Sequence, residues 1–180
     1  MLELTIQDTE LWDPKEERFY SVKGQTITLE HSLVSLSKWE SKWHKPFLSE
    51  NALTNEEILD YIRCMTINRN VDPLVYNCLT DSQFKAIEEY IADPHTATWF
   101  SNTEKEHGQK TVMTAERIYH LMFAFGIDKD CEKWHLNQLL TQIRVEYEES
   151  KPQKKHSSRE IADHHRAINA ARRKAKARKH

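Results

Sequence analysis

The first thirty residues follow the two-residue period of β-strands. Apolar and polar side chains alternate over residues 2–6, which is typical of a strand with one buried face. A turn is predicted at Asp13-Pro14. Two runs rich in aromatic and β-branched side chains follow at 18–22 and 25–29, and Lys23-Gly24 separates them. Because glycine suits a tight turn, these two runs are expected to pair as a hairpin in an N-terminal antiparallel element.

Beyond residue 31 the apolar positions recur every three to four residues, the period of an amphipathic helix. Ser32 is a candidate N-cap for the first of these helices. Thr54 with Glu57, and Thr80 with Gln83, are capping boxes, in which the two side chains satisfy free amides of the first helical turn. Helices are therefore predicted to begin at each of these three positions.

The second half of the chain predicts two more helices. Thr114 is a candidate N-cap, and Gly126 can supply the left-handed residue that ends a helix. The next helix is expected to run from about Asp130 to Glu149, with Trp134 in its apolar stripe. Ahead of both helices, residues 96–100 are a candidate short strand or an extended crossing segment.

These elements predict an α+β fold that is mostly α. Residues 1–30 form the small N-terminal antiparallel β-hairpin element, and residues 31–150 add a bundle of about five helices in the same domain. Residues 151–180 are predicted to be a basic linker and helical tail, because Lys151-Pro152 interrupts the helical pattern.

Charge is distributed unevenly along the chain. The formal net charge of all 180 residues is only −2. Residues 1–150 hold 15 Lys and Arg against 26 Asp and Glu, a net charge of −11. Residues 151–180 hold 11 Lys and Arg against 2 Asp and Glu, a net charge of +9. An acidic body with a basic tail indicates a binding partner more than a reaction.

The basic tail has the composition of a helix that is unstable by itself. Ser157 with Glu160 is a third capping box, but the like charges beyond it repel one another. The candidate partner-binding residues of the tail are Arg166, Arg172, Arg173, Lys174, Lys176, Arg178 and Lys179. An acidic protein surface, including the acidic body of the same copy or of a neighbouring one, is the favoured counterpart, since phosphate would repel the acidic body. Binding to nucleic acid and a merely solubilising tail are the alternatives.

The motifs of common enzymes and metal sites are not found in the sequence. The three glycines, Gly24, Gly108 and Gly126, lie too far apart for a P-loop or a dinucleotide-binding turn. Cys131 and His135 have the i, i+4 spacing of half a zinc site, but no further ligand stands at a diagnostic spacing. We therefore expect no enzymatic activity, no catalytic residue, no cofactor and no metal.

Three tryptophans are candidates for contact with a partner. Trp39 and Trp43 lie about one helical turn apart, and Trp134 lies on the last helix predicted before the tail. Each suits either the hydrophobic core or an anchor for another protein. For Trp39 and Trp43 the core is favoured, because apolar side chains at helical spacing more often face it.

Two segments carry a resemblance to a known group of proteins. Residues 29–48, which contain Leu29-Glu30-His31-Ser32 and Trp39, and residues 131–140 are similar to segments of small proteins of long-tailed double-stranded DNA bacteriophages. The likeness extends to Asn169-Ala170-Ala171-Arg172-Arg173. In its small size, acidity and order of elements, the chain resembles a tail assembly chaperone.

This resemblance implies a non-enzymatic morphogenesis protein that binds the tape measure and tail tube proteins in the host cytoplasm, alone or as a homo-oligomer. The basic C-terminus departs from that class. It equally suits a structural virion protein, at the head–tail junction or on the capsid, whose tail packs on DNA or on acidic subunits. No membrane contact is expected, because the longest apolar run, Leu121 to Phe125, is far too short for a bilayer.

Overall fold

The computed structural model describes residues 1–14, 16–49, 51–100, 112–151 and Arg166. The chain divides into two compact units, Met1–Tyr147 and Glu148–His180. The predicted α+β, mostly α fold class is confirmed, because four strands at the start of the chain are followed mainly by helices.

The elements have the following bounds. The strands are β1 (Leu2–Ile6), β2 (Thr9–Asp13), β3 (Arg18–Val22) and β4 (Gln25–Leu29). The α-helices are α1 (Leu33–Trp43), α2 (Asn55–Met65), α3 (Asp81–Ala92), α4 (Ala115–Ala124) and α5 (Leu136–Ser150). Two 3₁₀ helices lie at Pro73–Cys78 and Lys129–Lys133.

The strand pairing corrects the predicted hairpin. β3 and β4 are not partners: β1 pairs with β4 and β2 pairs with β3, both antiparallel. The two partner numbers add up to the same value in every pair, from Leu2–Leu29 to Asp13–Arg18. The four strands are therefore two arms of one long hairpin. Its turn lies between Asp13 and Arg18, as the Asp13-Pro14 signal predicts, and Lys23-Gly24 is an interruption within the second arm.

Gly24 allows the two arms to approach closely at this interruption. Its backbone N–H donates to Oδ1 of Asp8 at 2.6 Å. A Cβ atom on residue 24 would lie 2.9 Å from the backbone nitrogen of Asp8 and closer still to the carbonyl oxygen of Ile6. Glycine is needed here for close backbone contact and not for a turn, a distinction that sequence pattern does not make.

The inner part of the hairpin, β1 with β4, is fixed to the helices at both edges. Backbone N–H groups link β4 to the end of α2, from Ile67 to Thr28 O at 3.0 Å and from Glu30 to Met65 O at 2.9 Å. On the side of β1, α3 contributes the Gln83 amide, which donates to a β1 carbonyl. Within the described residues, β2 and β3 form backbone hydrogen bonds only with each other.

The predicted helix starts are confirmed at three positions. Ser32, Thr54 and Thr80 are N-caps, and each belongs to a capping box with the residue three positions later. Gly126 has a φ of 69°, as predicted for the residue that follows a helix end. Residues 96–100, in contrast, form no strand, so of the two alternatives for this segment the short strand is wrong.

The start of α4 is capped by a side chain from another helix. Thr114 is its N-cap residue, as predicted, but the Thr114 side chain makes no capping bond. The buried carboxylate of Glu40 in α1 accepts the Ala115 N–H at 2.7 Å instead, and its second oxygen accepts the Phe47 N–H at 2.9 Å. Glu40 therefore joins α1, the loop after it and α4.

The helix predicted from about Asp130 begins later, at Leu136. Its first backbone N–H donates to the carbonyl of His31 at 2.7 Å, because the chain crosses the junction of β4 and α1 at this point. Leu139 and Ile143 form the buried stripe of α5, as predicted. Trp134 does not belong to that stripe, because it precedes the helix and is 40% exposed.

The core consists of two hydrophobic clusters, and α1 contributes to both. The first cluster contains Trp39 and joins the hairpin to α2, α3 and the first 3₁₀ helix. The second contains Leu33 and Leu36 and joins α1 to α4 and α5. Phe47 packs against both clusters, so α1 and the loop after it connect the two halves of the core.

Candidate protein-binding surface

The outer part of the hairpin, β2 with β3, carries an exposed aromatic pair; we call these two strands the ribbon. Trp12 and Phe19 are direct cross-strand partners, and their ring centroids lie 4.9 Å apart. Trp12 is 51% exposed and Phe19 is 65% exposed. Because each ring restrains the other, the pair presents apolar surface to water in an ordered arrangement.

The ribbon has one packed face and one solvent face. Val22 is fully buried, and Leu11 packs against the first core cluster. Side chains alternate between the two faces of a strand, so Glu10 and Ser21 lie on the same face as the aromatic pair, and both are exposed. The solvent face therefore combines two aromatic rings with a neighbouring carboxylate.

Polar contacts stabilise the ribbon next to its turn. The Tyr20 hydroxyl donates to Oε2 of Glu16 at 2.6 Å, and Nε of Arg18 donates to the same hydroxyl at 2.7 Å. The bond to Glu16 raises the pKa of Tyr20, so the hydroxyl remains a donor. These contacts cross between the turn and β3 and help to hold the ribbon in shape.

Trp39 lies in the core and does not form a partner surface. Its side chain is fully buried, and its Nε1–H donates to the carbonyl of Glu57 at 2.9 Å. The Phe47 ring lies edge-on to it at 5.1 Å and stacks on Tyr61 at 3.8 Å. Of the two interpretations of Trp39, the structure supports the core.

Trp43 is half-buried and links α1 to α2. Its Nε1–H donates to Oδ2 of Asp60 at 2.8 Å, and its ring stacks on Trp39 with centroids 6.1 Å apart. Burial opposes the ionisation of Asp60, but hydrogen bonds from Lys42 and Trp43 outweigh it and lower the pKa of this carboxyl. Trp43 is thus engaged within the protein on both its ring and its N–H.

A smaller exposed aromatic group lies on α4. Tyr119 and Phe123 stack with ring centroids 6.4 Å apart, and Phe123 is largely exposed. The Tyr119 hydroxyl donates to Oε2 of Glu132 at 2.8 Å; burial and this carboxylate together raise its pKa to about 12. Trp134, also exposed, follows the second 3₁₀ helix and remains a candidate contact.

Only one of the seven candidate tail residues lies within the described part of the chain. Arg166 is exposed and has helical backbone. The other six cationic residues, the capping box at Ser157 and the linker that follows Lys151 lie outside the described residues.

A buried histidine cluster, which the sequence did not predict, lies where β4, α1, α2, α3 and α5 meet. His31 and His135 are 2% and 4% exposed, with ring centroids 5.2 Å apart. Nδ1 of His31 shares a 2.6 Å hydrogen bond with the Tyr61 hydroxyl. His95 stacks on His135 at 4.0 Å, with its ring nearly parallel.

The hydrogen bonds of His135 define its neutral form. A carbonyl only accepts, so Nε2 carries the proton that is donated to Tyr90 O at 3.0 Å. Nδ1 accepts the Asn137 N–H at 3.3 Å and carries no proton. Burial lowers the pKa of His135, and burial together with the nearby His135 lowers the pKa of His31 to about 4. Both rings are too enclosed to meet a substrate in this conformation.

The described residues contain no group of three or more His, Cys, Asp or Glu side chains placed to hold a metal ion. Cys131 lies in the second 3₁₀ helix, and Nε2 of His135 donates to the carbonyl of Tyr90 in α3. The cysteines are free thiols, and burial raises the pKa of each. No helix among the described residues has the length and apolarity needed to cross a membrane.

Sequence reasoning missed the ribbon as a surface, although a signal for it was present. Asp13-Pro14 marks the turn, and alternation continues on both sides of it through Leu11 and Tyr20. Pairing the strands about this turn would have placed Trp12 opposite Phe19. The predicted hairpin paired residues 18–22 with 25–29 instead, because glycine at position 24 suits a tight turn.

No protein-family model, curated protein sequence or solved structure matches this chain.

Proposed function

We propose that the protein is a non-enzymatic bacteriophage morphogenesis protein, a tail assembly chaperone that binds the tape measure and tail tube proteins. The observation that supports a binding role is the Trp12–Phe19 pair on the solvent face of the ribbon. Aromatic side chains are enriched in the energetic centres of protein interfaces. The resemblance of residues 29–48 and 131–140 to bacteriophage proteins supports the choice of partners.

The ribbon suits docking for a physical reason. Two large rings exposed to water retain an unfavourable hydration that a partner surface can remove. Their mutual contact limits their motion before binding, which reduces the entropy lost in the complex. A central aromatic anchor of this kind contributes on the order of 2 kcal/mol to binding.

The test is binding of the full chain to purified tape measure and tail tube proteins. The double variant Trp12→Thr/Phe19→Thr keeps residues that favour strands and removes both rings. It is expected to bind at least about thirtyfold more weakly, the equivalent of about 2 kcal/mol. Its free energy of unfolding is expected to change by less than about 1 kcal/mol, because both rings are exposed.

Trp99→Thr is the matched control, because Trp99 is 81% exposed and lies outside the ribbon. Equal loss of binding in the control, or unchanged binding in the ribbon variant, would contradict the proposal. Abundant copies of the protein in purified mature virions would contradict the chaperone role, since a chaperone leaves after assembly.

A structural virion protein is the second candidate, and the net charge of +9 in residues 151–180 favours it. Such a tail would neutralise phosphates and bind DNA with steep dependence on salt. In the reduced-charge tail variant, six tail cations are replaced by glutamine, which lowers the net charge of residues 151–180 from +9 to +3: Arg172, Arg173, Lys174, Lys176, Arg178 and Lys179. At low salt this variant is expected to lose most of the DNA affinity of the full chain. Equal DNA retention of the two proteins would exclude a DNA-binding tail.

A further inference from the structure

We propose that the solvent face of the ribbon binds the basic segment 151–180 of a second copy of the chain. Exposure of the Trp12–Phe19 pair leaves this face without a partner inside the described part of one copy. The chain itself contains a segment of the complementary charge, and two copies can exchange it reciprocally. The inference does not depend on which phage protein the ribbon binds.

Charge complementarity identifies the occupant. Residues 1–150 have a net charge of −11 and residues 151–180 a net charge of +9, so one copy attracts the tail of another. The two strands of the ribbon are slightly acidic as well, since they hold Glu10 and Asp13 against a single cation, Arg18. Glu10 lies next to the aromatic pair on the same face, where it can meet a cation.

The side-chain chemistry of the two surfaces also matches. Arg and Lys bind over the faces of aromatic rings, and tryptophan is the strongest of these acceptors. In residues 170–179 the cations are interspersed with four alanines, whose small side chains let the guanidinium and ammonium groups approach a flat surface. Arginine side chains placed over Trp12 and Phe19 would cover apolar area and lie near Glu10.

Reciprocal exchange explains why the partner is a second copy. Each copy supplies one ribbon and one tail, so a symmetric pair satisfies both surfaces twice and closes on itself. The two contacts reinforce each other, because formation of the first raises the effective concentration for the second. A partner that binds the ribbon would compete with this exchange.

Sedimentation of full-length chains at low and high salt tests the inference. The wild-type chain is expected to be a dimer at low salt and to dissociate as salt is raised. The ribbon variant Trp12→Thr/Phe19→Thr and the reduced-charge tail variant should each be monomeric at concentrations where the wild type is dimeric. Either loss corresponds to at least about thirtyfold weaker association.

Mixing the two variants separates this exchange from other modes of association. The reduced-charge tail variant keeps an intact ribbon and the ribbon variant keeps an intact tail, so the two should form a 1:1 heterodimer held by one contact. Trp99→Thr and a variant with arginines 172, 173 and 178 changed to lysine keep both surfaces and should remain dimeric. A monomeric wild-type chain, a dimer unaffected by either variant, or failure of the mixture to associate would overturn the inference. If the wild-type chain dimerises as expected but does not bind the tape measure or tail tube proteins, the proposed function alone is refuted.

Discussion

His31 and His135 are neutral side chains whose protonation is coupled to folding. Around them lie the side chains of Tyr61 and Tyr90, the exposed ring of His95, and the carboxylates of Glu30 and Asp93. The carboxylates of Glu30 and Asp93 raise the pKa of His135 less than burial lowers it, while burial and the neighbouring His135 lower the pKa of His31. Adding a proton to Nδ1 of His135 would also remove the acceptor of the Asn137 N–H.

Stability is therefore expected to fall as the pH is lowered from about 6.5 to 4. Above pH 6.5 the His31 side chain is neutral in both the folded and the unfolded chain, so it does not make the free energy of unfolding depend on pH. Below it, the unfolded chain takes up the proton first, because the folded pKa of His31 is about 4. The loss attributable to His31 reaches about 3 kcal/mol at the lower end.

Urea unfolding at pH 7 and pH 4.5 measures this loss. His31→Gln is expected to reduce the difference in unfolding free energy between the two pH values, although it lowers stability at pH 7. His120→Gln is the matched control, because His120 is exposed on α4 and should leave the difference unchanged. If His31→Gln shows the same difference in unfolding free energy between pH 7 and pH 4.5 as the wild-type chain, the His31 ring does not carry this proton linkage.

At the scale of elements, α1 is held through polar contacts that sequence pattern does not reveal. Trp39 and Trp43 donate to α2, while Glu40 accepts from the loop after α1 and from the first turn of α4. A buried carboxylate that accepts two backbone N–H groups satisfies donors that a helix and a loop leave free. Thr114 therefore occupies the N-cap position without making the side-chain capping bond that its residue type predicts.

Glu40→Gln is expected to destabilise the fold by about 2 kcal/mol. An amide keeps one acceptor oxygen but turns an NH₂ group toward the other backbone N–H, which is left buried without a partner. Urea unfolding at pH 7 measures the change. Glu116→Gln, at an exposed position in the first turn of α4, is the control and should change stability by less than about 0.5 kcal/mol. Equal effects of the two substitutions would contradict a bridging role of Glu40.

At the scale of the whole molecule, two separate features meet in one chain. The core is built as two clusters that share α1, and the charge is divided into an acidic body and a basic C-terminal segment. The first feature depends on contacts between distant parts of the sequence. The second is a property of composition, so it can be counted directly along the chain, and it suggests docking without showing where.

Elements that depend on local interactions follow from the amino-acid sequence alone. Capping residues at Ser32, Thr54 and Thr80 satisfy amides only three positions away, and helical periodicity is likewise a local pattern. The α+β class, the order of the α-helices and the charge division rest on the same kind of information, whereas the strand β2 (Thr9–Asp13) was not predicted.

Tertiary packing, in contrast, determines the pairing of the strands and the exposure of the aromatic side chains. It also determines the close contact of Gly24 with the other arm of the hairpin. Trp12 lies opposite Phe19, and His31 lies against His135, because distant segments come together in the fold. The spacing of Trp39 and Trp43 along the sequence predicts that they share one face of a helix. It does not reveal the acceptors of their indole N–H groups, the Glu57 carbonyl and the Asp60 carboxylate, which hold both rings against α2. Whether a side chain is buried depends on all the segments that pack around it. The exposed Trp12–Phe19 surface therefore could be identified only from the tertiary structure.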